Sequence, residues 1–174
     1  MTPWCSMIMD LHFVHPDTGF VFAGQGPGPL VEDAQARILY TTNGGESWTT
    51  VYESQRVGEI CWKASFPTAA TGYVSVLSYQ PTKARYFLKT EDGGNTWTEH
   101  PFTNTGAVEF GVGFINENEG WVGTDQGAWR TTNGGKSWRK DKVGIYTNKF
   151  RFVQGPGGLT GYAIGREVFK LPAR

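Results

Sequence analysis

The residues that could carry catalysis are scattered along this chain. The three histidines, His12, His15 and His100, do not have the spacing of a metal-ligand set. A Gly-x-Ser-x-Gly elbow and a phosphate-binding glycine loop are both missing from the sequence. A carboxylate pair such as Glu109 and Asp125 would suit glycoside hydrolysis, but nothing in the sequence singles it out. We therefore predict no catalytic residue, no metal site and no cofactor.

Three segments of the chain share the pattern Thr-x-(Asn/Asp)-Gly-Gly-x-(Ser/Thr)-Trp. They occupy residues 41–48, 90–97 and 131–138, and their tryptophans are 49 and 41 residues apart. This spacing is typical of one four-stranded propeller blade. A second marker, Phe-x5-Gly-aromatic, lies upstream of each segment and begins at Phe13, Phe66 or Phe114. The two linked markers predict an all-β propeller built from a repeated four-stranded antiparallel blade.

The repeat divides the single domain, residues 1–174, into units at about 9–53, 59–102, 108–143 and 149–171. The fourth unit stops after three strands, which would leave an unpaired edge. Residues 2–6 precede the first inner strand, and Trp4 matches the tryptophan of the repeated segment. We predict that these residues complete the fourth blade and close a four-bladed ring. The alternative is a homodimer in which two chains form one eight-bladed ring.

The repeated segment has a mechanical interpretation as a hairpin turn. Its paired glycines supply the positive φ values that tight turns need, and the Asn or Asp side chain can accept hydrogen bonds from the turn's own amides. The Ser or Thr and the Trp are expected to begin the outer strand of each blade. The residues to which we assign this structural role are Thr41, Asn43, Gly45, Ser47, Trp48, Thr90, Asp92, Gly94, Thr96, Trp97, Thr131, Asn133, Gly135, Ser137 and Trp138.

A calcium loop is the rival interpretation of the same turns, because Asp-x-Gly resembles the start of such a loop. Calcium is bound by several carboxylates in each loop. Two of the three turns carry Asn43 and Asn133 in place of Asp. We therefore expect the turns to hold the fold and not a metal.

These residues resemble the Asp-box, or BNR, repeat, whose pattern is Ser/Thr-x-Asp-x-Gly-x-Thr/Ser-Trp. That repeat occurs in sialidases, in sortilin-type receptors and in the photosystem II stability/assembly factor family, to which the doubled marker is most similar. The resemblance runs from Met9 to Leu171 and implies a propeller fold. The propellers of that family are usually longer than this chain. The arginine triad, the Tyr–Glu pair and the acid Asp of sialidases cannot be placed here, so sialidase chemistry is not carried over.

In a four-stranded meander the repeated turns lie on one face of the ring, and the loops at 24–36, 54–59, 79–84 and 103–107 lie on the other. Functions are often added to a rigid scaffold in such irregular loops. The candidate binding residues near these loops are Arg37, Arg56, Tyr79 and Arg85. A second candidate set lies on the inner strands around the channel: His12, Lys63, Glu109 and Arg151. These charges suit an anionic ligand, but satisfied ion pairs in a water-filled channel are the favoured interpretation.

The composition agrees with short strands and tight turns, since aromatic residues make up 14% of the chain and glycines number 24. Sixteen basic and sixteen acidic residues cancel, so neither nucleic acid nor membrane insertion is expected. The sequence shows no signal peptide, which predicts a cytoplasmic protein, or an extracytoplasmic one if a leader was removed. We expect Cys5 and Cys61 to be reduced thiols, with a disulfide as the alternative.

The sequence favours a non-enzymatic binding or assembly module that presents its loop-rich face to a protein partner. This hypothesis depends on the repeat architecture and on the missing catalytic set. The competing hypothesis is a glycan-binding or sialidase-like glycan-hydrolysing protein, which the same repeats and the abundant aromatic residues would suit.

Overall fold

The computed structural model describes residues 5–28, 30–79, 85–103 and 108–171. Their strands are β1 (Met7–His15), β2 (Thr18–Gln25), β3 (Gln35–Thr41), β4 (Thr49–Glu53), β5 (Glu59–Ser65), β6 (Gly72–Ser78), β7 (Arg85–Thr90), β8 (Thr98–Thr103), β9 (Glu109–Phe114), β10 (Gly120–Thr124), β11 (Gly127–Thr131), β12 (Arg139–Asp141), β13 (Lys149–Gly155), β14 (Gly158–Ile164) and β15 (Val168–Leu171). The helical segment at Val31–Asp33 is a single 3-10 turn. No helix in these residues could cross a membrane.

The strands form four antiparallel sheets, each paired in chain order as a meander. The first three sheets are β1–β4, β5–β8 and β9–β12, and the fourth is β13–β15. These sheets are the blades of a propeller, so the all-β propeller predicted from the repeat is confirmed.

Backbone hydrogen bonds define the two faces of the array. In each of the first three blades, a backbone amide of the repeated turn donates a hydrogen bond of 2.8–2.9 Å to a carbonyl of the first hairpin turn. The donors and acceptors are Gly44 and Asp17, Gly93 and Ala70, and Gly134 and Asn118. On the opposite face, the amide of Gly58 donates to Ala34 at 2.7 Å, and the amide of Tyr79 donates to Gly58 at 2.8 Å. We call this second side the loop-rich face.

The core lies between consecutive blades and is made mainly of aromatic and aliphatic side chains. Phe20 and Phe22 of the first blade pack with Val74, Val76 and Leu88 of the second. Equivalent clusters join the second blade to the third and the third to the fourth. Because a single sheet cannot bury both of its faces, each blade depends on its neighbours for stability.

The Phe-x5-Gly marker has a packing cause. The ring of Phe13 lies over Gly19, where an added Cβ would come 2.7 Å from the ring. Phe66 covers Gly72 and Phe114 covers Gly120 in the same way. Any side chain at the glycine would displace the ring, which for Phe66 and Phe114 lies between two blades.

The fourth blade has three strands in the described part of the chain, where the sequence predicts a fourth strand from residues 2–6. Residues 2–4 lie outside the described residues. Cys5 packs against the first blade's Val21 and Leu39, and the Ser6 hydroxyl and Gly26 share hydrogen bonds of 2.7 and 3.2 Å. The described part of the segment therefore lies on the first blade. Cys5 and Cys61 are free thiols, as expected.

The close approach of the second repeated turn to the first blade gives a test of the packing. Gly94 has φ +87°, and a Cβ there would collide with the ring of Phe20. Gly45 has φ +91°, but its Cβ would meet only Trp48 at 3.4 Å. Gly45→Ala should cost about 1 kcal/mol for the positive φ, and Gly94→Ala about 3 kcal/mol because overpacking adds to it. Urea unfolding of both variants measures the difference, and equal losses would contradict this junction geometry.

Candidate functional site

The three repeated turns are held by their own side chains. In the first, the Thr41 hydroxyl donates to Asn43 Oδ1 at 2.9 Å and accepts the amide of Gly45 at 3.0 Å. Asn43 Oδ1 accepts the amide of Ser47 at 3.0 Å, and Asn43 Nδ2 donates to its hydroxyl at 2.8 Å. The Trp48 indole N–H donates to the carbonyl of Gly45 at 3.0 Å. The polar atoms of the turn are thus used inside the turn.

The other two turns repeat most of these contacts, with two differences: the second turn carries Asp92 in place of Asn, and the buried Trp138 indole N–H of the third turn has no hydrogen-bond partner among the described residues. Thr90 and Thr131 bond to Gly94 and Gly135 at 2.8 and 2.9 Å. Asp92 accepts both the amide and the hydroxyl of Thr96, at 2.9 and 2.7 Å. The remaining contacts are those of Trp97 with Gly94, and of Asn133 with Thr131 and Ser137.

The outer strands begin later than the sequence suggested. They start at Thr49, Thr98 and Arg139, each one residue after the tryptophan. The expectation that the Ser or Thr and the Trp open the strand is therefore wrong. The reason is local, because the amides of Ser47, Thr96 and Ser137 bond to the turn's Asn or Asp and not to the neighbouring strand.

Arg56 is partly buried and is held by partners within the molecule. Its Nε donates to both carboxylate oxygens of Glu59, at 2.9 and 3.1 Å, and another nitrogen donates to Glu99 at 2.7 Å. The guanidinium carbon lies 4.4 Å from the ring centroid of Tyr86, whose hydroxyl donates to Glu59 at 2.6 Å. Glu59 is only 1% exposed. Burial opposes ionisation of Glu99, but the hydrogen bonds from Arg56 and Tyr52 outweigh it and lower the pKa of Glu99.

The other two arginines predicted for a binding face also have internal partners. Arg37 donates to Glu53 at 2.8 Å across β3 and β4. Arg85 is buried and donates to the carbonyl of Ser78 at 2.8 Å. These cations hold strands and loops together. Tyr79 differs, because its side chain is exposed.

The inner-strand residues make separate contacts. Lys63 Nζ donates to the carbonyl of Met9 at 3.0 Å and lies 5.1 Å from the Trp62 ring. The His12 ring stacks on Phe66 at 4.9 Å. Burial lowers the pKa of His12, an effect that Asp10 opposes and Arg151 reinforces.

Arg151 is exposed and donates to the carbonyl of Phe150 at 2.9 Å. Glu109 pairs with Thr124 in the sheet, and its side chain lies outside the described part of the structure. Asp125, its suggested carboxylate partner, accepts the amide of Val108 at 2.9 Å. In the described ranges, no group of three His, Cys, Asp or Glu side chains could hold a metal ion.

The loop-rich face carries an apolar surface, of which the sequence predicted the loops and Tyr79 but not Leu30 or Val57. Leu30, Val57 and Tyr79 are exposed large side chains on three different loops, and we call them the loop patch. The hydrogen bonds from Gly58 to Ala34 and from Tyr79 to Gly58 tie these loops to one another. Their apolar side chains therefore project from a backbone that is already ordered.

A second exposed apolar pair lies in the loop between the third and fourth blades. Ile145 and Tyr146 are exposed, and Arg166 lies 4.5 Å from the Tyr146 ring centroid. The Trp62 indole N–H donates to Asn148 at 2.7 Å and links this loop to the second blade. Exposed large hydrophobic residues in the described chain lie either on these loops or on the first and fourth blades.

The second repeated turn, which carries Asp92 where the other two carry Asn, predicts a specific pH dependence. Hydrogen bonds from the Thr96 hydroxyl and amide lower the pKa of Asp92 below its ordinary value of 3.8. A depressed folded-state pKa stabilises the fold above the unfolded pKa, and this contribution is lost as pH falls through the folded pKa. Asp92→Asn copies the first and third turns and cannot titrate. Below pH 4, thermal melts should show a smaller acid-induced loss of stability for this variant than for the parent. Identical pH profiles for the parent and Asp92→Asn would contradict a stabilising role for the ionised Asp92.

The Arg56 network predicts a large stability effect. Arg56→Met leaves Glu59 buried without its cation and should cost about 3 kcal/mol. The matched control is Arg130→Met, which breaks a 2.6 Å pair with the less buried Glu119 and should cost about 1 kcal/mol or less. Denaturant unfolding compares the two variants. Similar losses would show that Arg56 is not a structural cation.

The comparisons with known proteins show likeness in fold. No protein-family model and no curated protein matches the chain. A structure of YCF48 bound to D1 peptide has a TM-score of 0.67 and 20% identity over 98% of this chain and 52% of its own. The structure of YCF48 from Cyanidioschyzon merolae has a TM-score of 0.61 and 18% identity over 99% of this chain and 55% of its own. The GH74 xyloglucanase from Xanthomonas campestris has a TM-score of 0.65 and 14% identity over 94% of this chain and 28% of its own. The chain spans about half the length of the YCF48 structures, and it shares the propeller fold with all three proteins.

Proposed function

We propose that this chain is a non-enzymatic propeller module that binds a protein partner through its loop-rich face. The observation that carries the proposal is the loop patch, in which Leu30, Val57 and Tyr79 stay exposed on hydrogen-bonded loops. Exposed apolar groups collected on one face mark interaction sites in soluble proteins. In the repeated turns on the opposite face, the first Thr, the Asn or Asp, and the Ser or Thr bond to one another, and these turns are a scaffold in this proposal.

The chemistry of the loop patch suits a protein segment. Tyrosine and aliphatic side chains are typical anchors of protein interfaces, and Tyr79 adds a hydroxyl at the edge of an apolar surface. The neighbouring Arg56 is already bonded to Glu59 and Glu99, so it offers no free cation for an anionic ligand. Contact area and shape, and not charge, would therefore supply the affinity.

The structural likeness supports this class of function without fixing the partner. One of the similar YCF48 structures is described as bound to D1 peptide. The resemblance of the repeated turns to the Asp-box repeat belongs to the same proposal, with the photosystem II stability/assembly factor family as the group to which the chain would belong. The xyloglucanase represents the glycan-acting alternative.

A displayed random-peptide library, selected on the immobilised chain, tests the proposal. Peptides that bind the parent should bind Val57→Glu and Tyr79→Glu at least about tenfold more weakly, because a charge would be buried in an apolar contact. Lys136→Glu, at an exposed residue of the third repeated turn, is the matched control and should bind like the parent. Fluorescence anisotropy measures each dissociation constant.

A glycan array and a panel of fluorogenic glycosides test the alternative. Turnover of a glycoside, or specific glycan binding that is lost in Tyr79→Glu, would overturn the protein-binding proposal. Selected peptides that bind the parent and both loop-patch variants equally would show that the loop patch is not the site.

A further inference from the structure

Each blade of the array has two chemically different faces. The front face packs on the preceding blade and carries the marker phenylalanine, aliphatic side chains and the tryptophan of the repeated turn. The back face packs on the following blade and carries the large aromatic residue that follows the marker glycine. In the four blades these back-face residues are Phe20, Tyr73, Trp121 and Tyr162.

The junction of the first and second blades shows how the two faces fit. Phe66, on the front of the second blade, stacks on Phe20 with a centroid distance of 4.9 Å and an interplanar angle of 17°. Trp97 meets Phe20 and Phe22 edge-on at 6.1 and 6.3 Å. Offset stacking and edge-on contacts are the arrangements that aromatic rings prefer.

The same fit recurs at the next two junctions. Phe114 stacks on Tyr73 at 3.5 Å, and Phe152 lies 5.9 Å from Trp121. The fourth blade has no tryptophan of the repeated turn, and a cavity of about 280 Å³ bordered by Trp121 and Phe152 lies where that indole would pack. Three consecutive junctions thus follow one rule, in which a front phenylalanine covers a back aromatic ring.

In the described residues, two outer faces of the array keep large apolar side chains exposed, although Cys5 and Trp48 already cover Val21, Ala23 and Leu39 on the front of the first blade. Phe20 and Tyr73 are 0% exposed and Trp121 is 3% exposed, whereas the equivalent Tyr162 is 36% exposed. Ile164 and Val168 are exposed beside Tyr162 on the back of the fourth blade.

On the front of the first blade, Phe13 is 40% exposed, with Ile8 and Leu11 exposed beside it. Extensive packing between the described strands joins consecutive blades, and none comparable joins the fourth blade to the first.

We infer that two copies of this chain associate head to tail, with the front of the first blade of each copy seated on the back of the fourth blade of the other. Phe13 of one copy then stacks on Tyr162 of the other, as Phe66 stacks on Phe20. The two faces are the two halves of the junction that the chain already makes three times. Two such contacts close a ring of eight blades and leave neither face exposed.

The exposed faces are the outer surfaces of two sheets, whereas the loop patch lies on loops that connect strands. Different residues carry the two proposals, so association of two copies and partner binding are tested by different substitutions.

Light scattering coupled to size exclusion tests the inference directly. The parent should elute with twice the chain mass of 19.2 kDa. Phe13→Lys and Tyr162→Glu should each give the monomer, because each places an unpaired charge in an apolar junction. Lys136→Glu, on a repeated turn away from both faces, should remain a dimer.

Mixing the two single variants distinguishes a head-to-tail contact from a symmetric one. The mixed pair contains one native junction and one junction in which the two introduced side chains face each other with opposite charges, so the dimer should return. A monomeric parent, an assembly larger than two copies, variants that stay dimeric, or a mixture that stays monomeric would each overturn the inference. Circular dichroism confirms folding, and the more exposed pair Leu11→Lys and Ile164→Glu replaces the first pair if either variant unfolds.

Discussion

The contact between a front phenylalanine and a back aromatic ring is the interaction on which the array depends. Phe66 on Phe20 and Phe114 on Tyr73 each fill the space between two sheets that could not bury their faces alone. Each phenylalanine is also fixed within its own blade, because its ring covers the marker glycine. One side chain therefore sets both the shape of its blade and the distance to the preceding one.

The repeated turn serves the same junction by polar means. The Thr90, Asp92 and Thr96 side chains fix a backbone in which Gly94 has positive φ. That backbone approaches Phe20 more closely than any residue with a Cβ would allow. The Gly94 carbonyl then accepts the Trp97 indole N–H, so the indole meets the ring of Phe20 edge-on. A hydrogen-bonded turn thus positions an apolar contact in the neighbouring blade.

The periodic parts of the sequence predicted the fold well, because each marker is repeated and its residues interact within a few positions. The partners of Arg56 and Arg85 could not be predicted in this way. Arg56 reaches Glu99, 43 residues away, through a contact that depends on how β8 and the loop before β5 meet. Tyr79 and the loops of the loop patch were predicted, but Leu30 and Val57 were missed for a related reason, since they lie in irregular loops and share no spacing that would mark them as neighbours. Sequence showed which elements form, and packing decided which charged side chains remain available.

The difference between front and back faces gives the array a direction. A front face of aliphatic residues, phenylalanine and tryptophan packs on a back face of large aromatic rings at each of the three junctions. Repeating one junction therefore always leaves one face of each kind, as Phe13 and Tyr162 show. Only a closed ring covers both, because a symmetric pairing of like faces buries one kind and exposes the other. The loops do not take part in the packing between blades. The loop-rich face can therefore carry binding residues without any change in the junctions.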